Sequence, residues 1–365
     1  MQIVATLSIW FSGFYFILLM LIIWALRQLH IKDNEAQSFI SIVIAARNEA
    51  QRIGPTLESL SKLDYPADKH EIIFVDDAST DDTAKLIQQY VGRFEHWRLI
   101  EIKKKSGQLL GKKNALNEAI KQSRGELIFT TDADCVVPPG WLRYMSGYFS
   151  EETIMVLGHS PLKGKKGFLG SFLKFDNLFS AIVAAAPLKL GFPHTSVGRN
   201  LAYRKSVYEA VGGYEALKEF RSGDDVYLTE LFRRKGQGKI DYCVHPNTFV
   251  ETIPPDTTGE VFHQQIRKNS KTLKKSTPTV LFSMMLFVAY LMFMFLPLVF
   301  PSLTLLWLKL ILVKFILEFL ALTQAAVIFR KKELLFWFPF MQLIYPFYVT
   351  FFSILGALQI YKWKK

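Results

Sequence analysis

From position 4 to position 26 the chain runs through apolar and small residues without one charged side chain. A helix needs about 20 such residues to cross a hydrocarbon layer about 30 Å thick. Three more apolar runs, at 280–300, 303–329 and 334–360, are separated by Pro301 and by Arg330-Lys331-Lys332. Four membrane spans are therefore expected. No basic segment precedes 4–26 and no small-residue cleavage site follows it, so a retained anchor is expected rather than a signal peptide. The organisation expected is an anchor at 1–31, a globular domain at 32–279 and a membrane domain with about three hydrophobic segments at 280–365.

The net charge is +12. A basic chain can hold nucleic acid, but no nucleic-acid motif is present and the positive-inside rule accounts for the excess. Arg27 and Lys32 follow the first span, and Lys268, Lys271, Lys274 and Lys275 precede the second. These charges put the globular domain on the cytoplasmic face. Cys135 and Cys243 make no disulfide pattern, which agrees with a reducing compartment. The last run resists this topology, because with Arg330-Lys331-Lys332 inside, Lys362, Lys364 and Lys365 fall on the far side. An interfacial or re-entrant segment is the alternative, with Pro339 and Pro346 breaking it and Trp337, Tyr345, Tyr348 and Trp363 suited to an interface. Lys314 and Glu318 face one another on a helix, as either a functional pair or a structural one.

The run from Ser38 to Ala46 is continuous in β-branched and apolar residues and too short for a helix, so it reads as a strand buried on both faces. A helix over 51–63, a strand over 71–75, a helix over 83–92 capped by Thr80 or Asp81, a strand over 97–102, a helix over 113–122 and a strand over 126–130 follow. The alternation predicts an α/β fold with a mostly parallel sheet and crossover helices. Ligands of such sheets sit beyond the carboxyl ends of the strands. There the chain places Ala46–Glu49, Asp76–Ser79 and Asp132-Ala133-Asp134. The two carboxylates of the last segment suit a divalent cation, although taken alone such spacing is more often that of a solvated turn. No G-x-G-x-x-G follows a strand, and the segment from Gly107 to Lys113 is one residue short of a P-loop.

Several motifs recur in a recognisable order: Ser41-Ile-Val-Ile-Ala-Ala-Arg47-Asn48-Glu49, Val75-Asp76-Asp77-Ala-Ser-Thr-Asp81, Gly111-Lys112-Lys113-Asn114-Ala-Leu-Asn117, Thr131-Asp132-Ala-Asp134, Gly198-Arg199-Asn200-Leu-Ala-Tyr-Arg-Lys205, Val211-Gly-Gly-Tyr214 and Gly223-Asp224-Asp225-Val-Tyr-Leu228. The series resembles membrane-bound family 2 glycosyltransferases with a GT-A fold, over about Phe39 to Lys271. That resemblance implies a nucleotide-sugar donor, a UDP-sugar first of all. Asp76 and Asp77 would hold the nucleoside beside Ala46 and Glu49. Lys112, Lys113 and Asn114 would serve the diphosphate. Asp132 and Asp134 would bind Mg²⁺ or Mn²⁺, Asp134 the more firmly.

Asp224 and Asp225 open a helical pattern, where acids are favoured with or without a catalytic role. The resemblance makes Asp225, with Asp224 as its neighbour, the base for an inverting transfer. Gln264-Gln265-Ile266-Arg267-Lys268 is similar to the family's Q-x-x-R-W motif except for Lys268 in place of Trp. Gln265 and Arg267 would then contact diphosphate or acceptor. Losing the Trp argues against processive polymer synthesis. Phe168, Phe172, Phe175 and Phe179 recur at helical spacing, as the stripe of a core helix or of an interfacial one.

The expectation is a metal-dependent, inverting glycosyltransferase on the cytoplasmic face of a membrane, the bacterial inner membrane in this reading. It would pass a sugar from a nucleotide-sugar to a lipid or lipid-linked glycan, with membrane lipids and no nucleic acid as its other partners. The rivals are a processive polysaccharide synthase and a catalytically inactive scaffold of an envelope-assembly complex.

Overall fold

A computed structural model describes residues 1–34, 38–102, 109, 111–164, 167–220, 223–254, 257–270 and 277–358. Gly107, Lys271, Lys274, Lys275, Lys362, Trp363, Lys364 and Lys365 lie outside the described residues. In chain order the elements begin with α1 (Gln2–Arg27), β1 (Ile40–Ala46), α2 (Ile53–Leu60), β2 (His70–Asp76), α3 (Thr83–Val91), β3 (Trp97–Glu101), α4 (Lys112–Gln122) and β4 (Leu127–Thr130). Next come β5 (Cys135–Val136), α5 (Trp141–Ser146), β6 (Thr153–Gly158), α6 (Gly167–Lys189), β7 (Leu201–Arg204), α7 (Lys205–Ala210), α8 (Asp224–Lys235), β8 (Lys239–Cys243) and β9 (Glu251–Thr252). The chain closes with α9 (Thr258–Asn269), α10 (Thr277–Val299), α11 (Thr304–Ile328) and α12 (Phe338–Ala357).

Two compact units result. One comprises Leu29–Lys163 and Val183–Ile253, and the other Met1–Gln28, Gly164–Ile182 and Pro254–Lys365. The segments 164–182 and 254–279, expected within a globular domain at 32–279, thus group with the terminal helices. Side chains give the reason, since Gln265 of α9 and Tyr345 of α12 both donate to the buried Asp176 of α6.

The first unit is built on a seven-stranded sheet of order β3-β2-β1-β4-β7-β6-β8. β3, β2, β1 and β4 run parallel, β7 is antiparallel to both of its neighbours, and β8 is parallel to β6. Every residue of β2, β4 and β6 is buried, as a sheet covered on both faces requires. Ile42, Ile44, Phe74, Phe129, Trp141 and Leu57 lie in one apolar cluster on one side of it. The register sets Ala46 beside Asp76 and Thr130 beside Leu201. Four segments therefore leave or enter the sheet along one rim.

Helices α1 and α6 and the segment Lys332–Ala357 are each long and apolar enough to cross a membrane. The expected spans at 280–300 and 303–329 differ from this pattern. They form a pair of helices bent by 113° at the break before Pro301, a broken span or a re-entrant loop. Proline has no N–H to continue the ladder and disfavours helix in the residue before it. The Lys314–Glu318 pair lies inside the second unit, Nζ to Oε2 2.9 Å. Glu318 also accepts from Tyr15 of α1 at 2.5 Å and from Gln342 of α12 at 2.6 Å.

Candidate active site

The rim begins with two loops stitched together. Asn48 N–H donates to Ser79 Oγ at 3.0 Å, and Thr80 N–H returns a bond to Asn48 Oδ1 at 2.8 Å. Glu49 N–H reaches Thr83 Oγ1 at 2.8 Å. Asn48 and Ala78 both hold positive φ, 54° and 55°. Residues with a Cβ adopt that conformation at a cost of roughly 1–2 kcal/mol each. Asp76 is 5% exposed, and one of its oxygens accepts from Ser79 N–H at 3.0 Å. The other, Oδ1, is buried with no hydrogen-bond partner among the described residues. A carboxylate oxygen so placed is short of one donor, which a nucleoside can supply. Asp77 is buried beside it, 3.6 Å from the Arg47 guanidinium. The bond expected of a helix cap falls to Asp81, whose Oδ1 accepts from Thr83 N–H.

Next along the rim stands a charged cluster. Lys112, the first residue of α4, holds Nζ 2.5 Å from Asp132 Oδ1 and 3.4 Å from Asp224 Oδ2. Burial works against its charge, but Asp132, Asp224 and Asp225 outweigh burial and keep the ammonium protonated. Asp132 and Asp134 offer carboxylate oxygens within 4.8 Å of one another and of the Cys135 thiol. Burial, and then Asp132, raise the Asp134 carboxyl above its usual range. A hard divalent cation fits the two carboxylates. Cys135, which sequence reasoning passed over as a ligand, does not suit that cation. Its thiol is pushed well up, first by burial, and is a soft donor.

Asp224 and Asp225 occupy the first turn of α8, as the sequence predicts. Asp225 Oδ2 accepts from Gly198 N–H at 3.1 Å and Oδ1 from Val226 N–H at 2.8 Å. Thr130 Oγ1, at the end of β4, fixes the same glycine through its carbonyl at 2.7 Å. A Cβ on Gly198 would meet Asp225 Cβ at 3.3 Å, a tight contact that would push the loop and the acid apart by a few tenths of an ångström.

Four further expected site residues remain. Lys113 is buried and donates to the carbonyls of Leu217, at 2.6 Å, and Phe220, so it is not a point charge free for a diphosphate. Asn114 is buried one residue further along α4. Gln265 and Arg267 belong to the helical unit. Counting back from Arg267, the Gln of the Q-x-x-R pattern is Gln264. Gln265 is the next residue, and its Nε2 is 3.2 Å from Asp176 Oδ2.

Residues 41–212 match the family described as Glycosyl transferase family 2. The chain is 32% identical over 235 residues to a beta-monoglucosyldiacylglycerol synthase of Synechocystis sp., covering 62% of this chain and 46% of that protein. It is 26% identical over 248 residues to a poly-beta-1,6-N-acetyl-D-glucosamine synthase of Staphylococcus epidermidis, covering 66% and 56%. It thus spans about half the length of these relatives. Among solved structures, the mannosyltransferase PcManGT from Pyrobaculum calidifontis, in complex with GDP-Man and Mn²⁺, matches at a TM-score of 0.60 and 18% identity. That likeness covers 97% of this chain and 98% of the other, and it establishes a shared GT-A-like fold. The ordered motifs, the sheet that carries them and the family match agree, and residues 41–212 belong to glycosyltransferase family 2.

Proposed function

We propose that this protein transfers one sugar from a nucleotide-sugar, a UDP-sugar in the first instance, to a membrane lipid acceptor of the diacylglycerol kind, with inversion and with Mg²⁺ or Mn²⁺. The observation that carries the reading is the cluster at the rim, where Lys112 bridges Asp132 to Asp224, with Asp134 and Asp225 as the flanking acids. The unpartnered Asp76 Oδ1 supports a nucleoside at the end of β2, where an imide or ribose donor meets it. A cation held by Asp132 and Asp134 would offset the charge that develops on the leaving diphosphate. Asp225 takes the proton of the acceptor hydroxyl while that oxygen bonds to the anomeric carbon. The bond to the diphosphate breaks in the same displacement, and one such step inverts the centre. The lipid acceptor is suggested by the relative named for monoglucosyldiacylglycerol, and by apolar helices of membrane-crossing length. We place the catalytic unit on the cytoplasmic face, with α1 as anchor.

The test uses the full chain purified in detergent. A thermal-shift panel of nucleotide-sugars with Mn²⁺ identifies the donor, since a ligand stabilises the state it binds. That donor, radiolabelled, is then offered with vesicles containing diacylglycerol. A labelled lipid bearing one inverted sugar is expected. A ladder of long water-soluble products would establish the polymer reading instead, as the name of the second relative suggests. Donor binding without transfer to any lipid or glycan would leave only the scaffold.

A further inference from the structure

One cation of this unit has no role in what precedes. Arg199 lies between Gly198, which touches Asp225, and Asn200, which is fully buried. Asn200 is fixed on three sides. Its Oδ1 accepts from Trp141 Nε1 at 3.0 Å, and its Nδ2 donates to the carbonyls of His159 at 2.7 Å and Thr248 at 2.8 Å. Gly158 leaves it no freedom either, since a Cβ there would lie 2.4 Å from Asn200 Nδ2. The backbone on both sides of Arg199 is thus held in place.

The side chain is held as well. Arg199 Nε donates to Ser160 Oγ at 2.6 Å, and that buried hydroxyl is itself tied to the Val250 carbonyl at 2.5 Å. The two terminal nitrogens have no hydrogen bond or ion pair with any described residue. A guanidinium anchored through Nε presents its remaining N–H groups as a planar fork, a shape that matches two oxygens of a phosphate. Its charge is felt at the cation site, where it draws back an Asp134 carboxyl raised by burial and by Asp132. Lys112 is bonded to Asp132 and Asp224, whereas Arg199 has its bond to neutral Ser160 and keeps its charge for a ligand.

We infer that Arg199 is a substrate-binding residue of this site, a preformed fork for a phosphate group beside the Asp132–Asp134 pair. The phosphate belongs either to the donor diphosphate or to the acceptor. The inference rests on the proposed glycosyl transfer and adds a residue and a ligand chemistry to it.

The experiment compares wild type, Arg199→Gln, Arg199→Lys and Ser160→Ala in the full detergent-purified chain. UDP and GDP binding with Mn²⁺ is measured by calorimetry, and KM is measured for a phosphate-bearing and a phosphate-free lipid acceptor. Arg199→Gln should weaken one phosphate-dependent affinity roughly 10- to 100-fold, the usual worth of hydrogen bonds to a charged group. A loss in nucleotide Kd assigns the donor, and a loss confined to the phosphate-bearing acceptor assigns the acceptor. Arg199→Lys should recover part of the loss, having the charge without the fork. Ser160→Ala should show a smaller loss of the same kind. Partial rescue by Lys separates ligand binding, which needs the charge, from a structural role, which needs the Nε bond to Ser160 that Lys cannot make. If Arg199→Gln keeps all of these affinities within twofold of wild type, the inference falls while the proposed function stands. If wild type binds neither nucleotide and neither acceptor, both fall together.

Discussion

The N–H of Gly198 donates to Oδ2 of Asp225 across 3.1 Å, so the acid is aimed by the backbone of another segment. Its other oxygen is held by Val226 N–H. Asparagine preserves most of this geometry but cannot take up a proton at neutral pH. Asp225→Asn should lower turnover roughly 10²- to 10⁴-fold, the usual worth of a positioned base. Donor affinity should stay within a few-fold. Asp224→Asn is the companion measurement, because Asp224 is the acid that contacts Lys112. Near-native turnover in Asp225→Asn with an inactive Asp224→Asn would transfer the role to Asp224.

Asp134→Ala should weaken UDP binding in Mn²⁺ far more than in EDTA, because only the cation-bridged part of the affinity is lost. Calorimetry in the two buffers gives the comparison. Equal weakening in both would remove the cation from Asp134.

Asp241 contributes to the acid stability of the sheet unit. Burial alone would raise its carboxyl, yet hydrogen bonds from Lys189 and Lys32, each 2.7 Å long, outweigh burial and hold it below its usual range. The folded state then binds this proton less readily than the unfolded chain. The contribution is complete above the unfolded value, about 3.9, and is lost as pH falls through the lower folded one. Asp241→Asn should cost roughly 2 kcal/mol at pH 7, less than the 3–5 of a fully buried pair because both lysines are part-exposed. The gap between variant and wild-type melting temperatures should narrow below about pH 4. A gap unchanged by acid would mean that packing, not charge, is what Asn disturbs.

Lys268 stands 3.7 Å from Asp176 Oδ2, on α9. With saturating donor, products should carry a single added sugar, and Lys268→Trp should not by itself yield polymer. Chromatographic sizing of labelled products decides this, and long chains made by the native protein would refute it.

The parallel half of the sheet was legible in the sequence because strands covered on both faces are mostly apolar, as from Ile40 to Ala46 with Ser41 the one polar residue, and across Ile72 to Val75. The start of α8 was legible for a similar reason, a change from acids to helical periodicity at Asp224. Side-chain direction was not. Lys112 and Lys113 are neighbours in sequence but point about 100° apart around a helix, and only packing decides which of them meets Asp132 and which the Leu217 carbonyl. Gln265 likewise read as a binding group until Asp176, 89 positions away, proved to hold it. The bend before Pro301 was foreshadowed by the proline, though its 113° follows from the tertiary structure.

Thr130 ends β4 opposite Leu201, which begins the antiparallel β7. One half of the rim therefore hangs from strands that are finishing, at Ala46, Asp76 and Thr130, and the other half from a segment about to start, at Gly198 and Arg199. Each half answers to a different stretch of backbone. Evolution can lengthen, exchange or recharge the loop before β7 without moving the register of β1, β2 and β4. A scaffold wired in this way can vary the half of the rim that carries Gly198 and Arg199 while keeping the half that carries Asp76 and Asp132, which gives a physical route by which one sheet comes to serve different ligands.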